Sequence, residues 1–220
     1  LSKHSQSYTL RAGLGGALDI YQAGLLDGSS ASGVSGDLTF EYNPKDQRVM
    51  DIEEKAGDAD VTDASPIYGL HGNGLVFATP PFAKAADFTG IPSLKLWVQT
   101  DVPDVDLEAD LYMVRPSGQY VPLSSAQMRG RWKDSMRTAK LLEPNKPTLF
   151  DFENFYFFSW HFEAGSRLVM MVTCPAYSGI QHNYCSGKAV ESETIADAHT
   201  AHIKVLTDKD HQSRLTLQQP

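Results

Sequence analysis

At 220 residues, 41% of them hydrophobic, the chain is long enough for one large domain with its own core, and β-sandwiches often reach this size as single units. A formal net charge of −8 argues against general nucleic-acid binding, which needs a basic patch. No apolar run approaches the ~20 residues of a membrane span, so no membrane segment is expected.

The first residues, Leu1 to Gln6, are polar and do not form a signal peptide, and there is no initiator Met. The sequence therefore reads as a piece excised from something longer. Ser7-Tyr8-Thr9-Leu10 is a short strand candidate. Residues 13–36 are rich in Gly, Ala and Ser and read mostly as loop. Leu38-Thr39-Phe40-Glu41-Tyr42 alternates and is closed by Asn43-Pro44. Residues 45–74 are acidic and poor in large apolar side chains. A run this long without structure is unusual in a compact domain and is natural where it wraps a partner surface. Leu75 to Thr79 is a strand closed by Pro80-Pro81, and Ala83 to Asp87 reads as an exposed linker.

The stretch from Ser93 to Arg131 organises the rest. Leu94, Leu96 and Val98 alternate with Lys95, Trp97 and Gln99. Leu107, Ala109, Leu111 and Met113 alternate with Asp106, Glu108, Asp110 and Tyr112. A period of two over this length predicts strands with one buried and one wet face. Arg115-Pro116-Ser117-Gly118 supplies a turn, and Gln127 to Arg131 alternates again. Lys133 to Lys140 reads as an exposed basic loop, and Glu143 to Pro147 as a turn. Thr148 to Phe158 is aromatic and has high strand propensity. Phe162 to Ser166 turns into Arg167 to Thr173. Cys174 to Ala198 is a long loop, followed by strands at Ala201 to Val205 and Arg214 to Leu217. About ten short strands, with no convincing amphipathic helix, predict an all-β, two-sheet jelly-roll sandwich. The expected organisation is one domain over 1–220, with N-terminal strands and long surface loops in 1–74 and the jelly-roll core in 75–220.

Chemistry is sparse. A hydrolase nucleophile elbow is written GxSxG, and Gly33-Val34-Ser35-Gly36 lacks that spacing. His4, His71, His161, His182, His202 and His211 are scattered, and none stands at helical metal spacing. Asp101, Asp104, Asp106, Glu108 and Asp110 invite a calcium reading. Sheet alternation and a turn at Pro103 account for the same acids. Arg129 and Arg131 share a face and could pair with those acids across strands or hold an anion. Cys174 and Cys185 read by default as free thiols of a cytosolic protein, with a disulfide as the alternative for an exported one. No cofactor and no metal is expected, and no catalytic residue is assigned. Trp97 and Tyr112 fall on the polar face of the central strands. Exposed aromatics of this kind serve either to dock a neighbouring domain or to stack sugars. The loop after Cys174 carries Tyr177, His182, Asn183 and Tyr184 at a sandwich end, where such domains touch ligands or neighbours.

From Leu75 onward the order of features resembles the C-terminal domain of the X-prolyl dipeptidyl-peptidase and cocaine-esterase group of α/β-hydrolases. The resemblance runs through Val76-Phe77-Ala78-Thr79-Pro80-Pro81, Asp87-Phe88-Thr89-Gly90 and Leu94 to Val98. It continues in Thr100 to Leu107, Tyr112 to Gly118 and Met128-Arg129-Gly130-Arg131-Trp132, and closes with Phe162 to Leu168 and Ser213 to Leu217. Leu38 to Pro44 is similar to the strand that opens the family's domain. Gln212 departs from the family, where a Pro commonly precedes the final strand. The resemblance implies a galactose-binding-like jelly roll without a catalytic triad, packed against an upstream α/β-hydrolase domain and helping to wall its pocket. A homodimer is a further expected partnership, and the cytoplasm is the default compartment for the parent. The competing function is a carbohydrate-binding module that stacks sugars on Trp97, Tyr112 and Tyr177.

Overall fold

Alternation of apolar and polar side chains commits most of this chain to strands, because only a pleated strand sends every second residue to one side. A computed structural model of the protein describes residues 4–13, 21, 23–28, 38–46, 48, 51, 73–176 and 179–220. Among them thirteen strands are found. They are β1 (His4–Ala12), β2 (Gly24–Asp27), β3 (Leu38–Tyr42), β4 (Gly74–Ala78), β5 (Ala86–Gly90), β6 (Ser93–Thr100) and β7 (Asp106–Val114). The rest are β8 (Tyr120–Arg129), β9 (Thr148–Phe152), β10 (Phe158–Phe162), β11 (Arg167–Thr173), β12 (Ala201–Val205) and β13 (Arg214–Gln219).

The strands form an all-β sandwich. Eleven of them make one mixed sheet, in the order β3-β12-β6-β13-β1-β2-β4-β11-β7-β8, with β9 on the other edge of β6. Its two halves face each other. Leu94, Leu96 and Val98 of β6, Phe150 and Phe152 of β9, and Leu215 and Leu217 of β13 project from one half. Leu107, Ala109, Leu111 and Met113 of β7 and Leu168, Met170 and Val172 of β11 project from the other. All lie in one continuous core, as the alternation requires. Full burial of each large side chain contributes about 1.5–3 kcal/mol. A separate antiparallel pair, β5 and β10, adds Phe88, Phe158 and Phe162 to the same core.

At β6 the sheet forks. β13 pairs with residues 93–95 and β12 with residues 98–100. The buried Ser213 hydroxyl fills the fork, accepting from the Trp97 amide at 2.9 Å and donating to the Leu206 carbonyl at 3.0 Å. The Arg115–Gly118 turn closes as its residues demand, with the Gly118 amide on the Arg115 carbonyl at 2.9 Å and a Gly118 φ of +86°.

Three local expectations are corrected. Residues 24–27, expected as loop, form β2, which pairs antiparallel with β1 and parallel with β4. Residues 86–87, expected in a linker, open β5, whose partner β10 lies some seventy residues downstream. The outer face of β4, β7, β8 and β11 is not wet. Val76, Ala78, Tyr112, Val114, Tyr120, Val169 and Met171 form a second buried cluster there, and Tyr21 packs on it. The expected loop at 13–36 and excursion at 45–74 otherwise fall largely outside the described residues.

Candidate interaction surface

One end of the sandwich is closed by a buried polar hub. The β6–β7 connection delivers Asp104 and β7 begins with Asp106, while β8 ends at Arg129 and a 3-10 turn follows at Gly130–Trp132. Asp104 accepts from the Arg131 amide at 2.8 Å and from Arg131 Nε at 2.7 Å. Asp106 accepts from Arg129 Nε at 2.9 Å and Nη2 at 2.8 Å. Asn183 donates Nδ2 to both acids, at 3.0 and 2.8 Å, and its Oδ1 receives the Cys185 amide at 2.9 Å. Arg129 continues to the side chain and carbonyl of Gln181, and Arg131 to the Lys188 carbonyl. Glu193, also buried, accepts the amides of Tyr184 and Ser186 at 3.1 Å. Burial pushes the Asp106 carboxyl up, against the opposing pull of Arg129 and Asn183. The cross-strand pairing of arginines with acids is thus realised. Both guanidiniums are committed internally, which leaves neither as an open anion clamp.

The expected site residues are dispersed. Asn183 is 3% exposed and is the centre of the hub, not a surface contact. His182 and Tyr184 flank it, half-buried, with ring centroids 4.6 Å apart. His182 Nε2 meets the Tyr42 hydroxyl at 3.2 Å, and burial holds its imidazole pKa down. Trp97 is half-buried at the fork, edge-on to His211 at 4.9 Å. Tyr112 is corrected from exposed to buried, because Tyr120 lies against it at 4.8 Å inside the second cluster. Trp97 and Tyr112 therefore do not share a face. Tyr177 and His71 lie outside the described residues. Cys174 and Cys185 are both buried free thiols, and burial raises the Cys185 pKa.

Sequence reasoning passed over the aromatics that are most exposed. Phe150, Phe152, Phe155, Phe158 and Phe162 turn inward and leave Tyr156 and Phe157 at 71% and 63% exposure, while Trp160, on the same strand face as Phe158 and Phe162, stays 39% exposed. Ile91, at 48%, follows Gly90, which pairs with Phe158, so Ile91 and Phe157 sit at the same level of the β5–β10 ribbon. The signal was present in the run Phe155-Tyr156-Phe157-Phe158, which cannot bury every ring of an irregular crossing.

Three described histidines bond carboxylates and not serines. His161 bonds Asp87 at 2.7 Å, His202 bonds Asp101 at 2.7 Å, and His211 bonds Asp208 at 3.0 Å. Ser159 is two residues from His161, but its hydroxyl is shared with Thr89 at 2.9 Å. Both residues of the Asp87–His161 pair are open to water.

The charged centre of this all-β sandwich is thus spent on its own loops, and several rings stay exposed. The chain belongs to the X-Pro dipeptidyl-peptidase C-terminal non-catalytic domain family, whose model matches residues 24–216. It is 23% identical over 193 residues to the cocaine esterase of Rhodococcus sp. (strain MB1 Bresler), covering 86% of this chain and 33% of that one. In structure it is similar to an aminopeptidase from a marine-sediment Thaumarchaeota archaeon, with a TM-score of 0.78 and 18% identity, over 98% of this chain and 36% of the other. It is also similar to an α-amino acid ester hydrolase, with a TM-score of 0.75 and 19% identity, over 96% and 36% of the two chains. The chain spans about a third of the length of each of these relatives.

Proposed function

We propose that residues 1–220 form a single accessory domain of a serine hydrolase acting on esters, amides or X-Pro peptides. In this reading the domain packs on the catalytic domain, completes the fold and the homodimer, and walls part of the substrate pocket. The observation that carries it is the extent of the family match, which starts at the first residue of β2 and ends within β13. The match therefore takes in nearly the whole sandwich. The hub supports a role for the 181–193 loop in this contact, because it fixes His182 and Tyr184 rigidly at one end.

The test compares hydrolysis of an ester and an X-Pro peptide by the 220-residue chain alone, by the full natural chain, and by that chain lacking these residues. The expected result is no turnover by the domain alone and a raised KM or lost activity on its removal. Turnover that purifies with the 220-residue chain, or full activity without it, would refute the reading.

A further inference from the structure

We propose that the hydrolase domain of the same chain seats against one side of this sandwich, along the ridge formed by Ile91, Tyr156 and Phe157. The inference rests on the accessory-domain reading above and adds the place of contact.

The ridge is apolar and exposed, and its backbone is held. Asn154 Nδ2 donates to the Gln127 carbonyl at 2.9 Å, and the Ser124 hydroxyl donates to the Tyr156 carbonyl at 2.8 Å. Phe155, Phe158 and Phe162 anchor the same segment in the core. Rings fixed in this way lose little freedom when a partner covers them, which is the property of interface anchors. The side carries few charges in a chain of net charge −8. Asp87 bonds His161 and Thr89 bonds Ser159, and Asp87 and Glu153 are the exposed acids beside the rings. An aromatic surface with few charges suits a broad, permanent contact better than a charged ligand.

The ridge is continuous with the polar end. The strand that receives Asn154 at Gln127 binds the 181–193 loop two residues later, through Arg129 and Gln181. An open groove of about 320 Å³ lies beside the Arg129–Gln181 contact, lined by Gln127, Met128, Arg129, Trp132, Ile180 and Gln181. The occupant is the hydrolase domain because the matched relatives carry roughly twice as much additional chain as this one, joined to the same sandwich.

The experiment is amide hydrogen exchange on the full natural chain, with and without the paired substitution Tyr156→Ser and Phe157→Ser. Neither ring is in the core, so the sandwich folds in both. Protection of residues 153–161 at every protein concentration, lost about tenfold in the variant, is the expected result. Exposure of 153–161 while other surfaces of this domain are covered would overturn the assignment and leave the accessory-domain reading intact. Protection that grows with concentration would overturn it in favour of a second copy. A domain that gains no protection anywhere from the rest of the chain would overturn both.

Discussion

The Arg131 guanidinium meets the Asp104 carboxylate at 2.7 Å in a place where that carboxylate has no exposure to solvent. A buried ion pair adds little net stability, but removing one partner strands the other without water. Asp104→Ala is expected to cost about 3–5 kcal/mol in urea unfolding. The double change Asp104→Leu with Arg131→Met should cost less than the two single changes summed, by 0.5 kcal/mol or more, on the order seen for contacting residues. Strict additivity would mean that the two groups do not act together.

Asn183 ties its loop to Asp104 and Asp106 through one side-chain amide, and its loss should be felt locally first. Asn183→Ala removes two bonds to carboxylates, each worth about 1.5–3 kcal/mol. Exchange of the Tyr184, Cys185 and Ser186 amides should accelerate, while the paired amides of β6 and β7 stay slow. Uniform acceleration across the sandwich would show that the hub holds the whole fold and not the loop.

Two histidines should bend the stability curve in opposite directions between about pH 5.5 and 7.5, the range around the ordinary imidazole value. Burial lowers the His182 pKa, so the unfolded chain takes up its proton first and stability falls as the solution is acidified. The hydrogen bond that His202 donates to Asp101 raises the His202 pKa, so its contribution is present at acid pH and fades as pH rises through the folded value. His202 is largely exposed, and solvent screening keeps its share small. Thermal melts of His182→Gln should lose the acid sensitivity, whereas His202→Gln should deepen it. Parallel curves for both variants and the parent would contradict this assignment.

Two glycines separate steric from backbone demands. A Cβ at Gly24 would stand 2.6 Å from the Val76 carbonyl and 2.7 Å from the Phe77 ring, where the parallel β2–β4 contact is made. At Gly118 nothing lies within 4 Å, and only the φ of +86° resists a side chain. Gly118→Ala should therefore cost about 1 kcal/mol, and Gly24→Ala about 2 kcal/mol or more. Equal melting temperatures for the two variants would count against the tight β2–β4 packing.

The central sandwich was legible because its code is local. Leu94, Leu96 and Val98, and Leu107 to Met113, announce their buried face within a few residues. What escaped was non-local. Asp104 and Asp106 look like wet acids until Asn183, 79 and 77 residues away, is brought between them. Tyr112 sits at an outward position of its strand and is buried only because other side chains cover that side. The ribbon of β5 has weak strand propensity and exists through its pairing with β10. Asn183 was selected as a site residue by its loop position, and its role in the hub depends on partners that no local pattern displays.

The antiparallel pairing of β1 with β13 sets Tyr8 opposite Leu215 and His4 opposite Gln219. The edge that β1 offers to β13 therefore stays unpaired until a segment some two hundred residues downstream has been made. Non-local closure of this kind slows folding. The half-built sheet is a species that chaperones would have to shelter until β13 has been made.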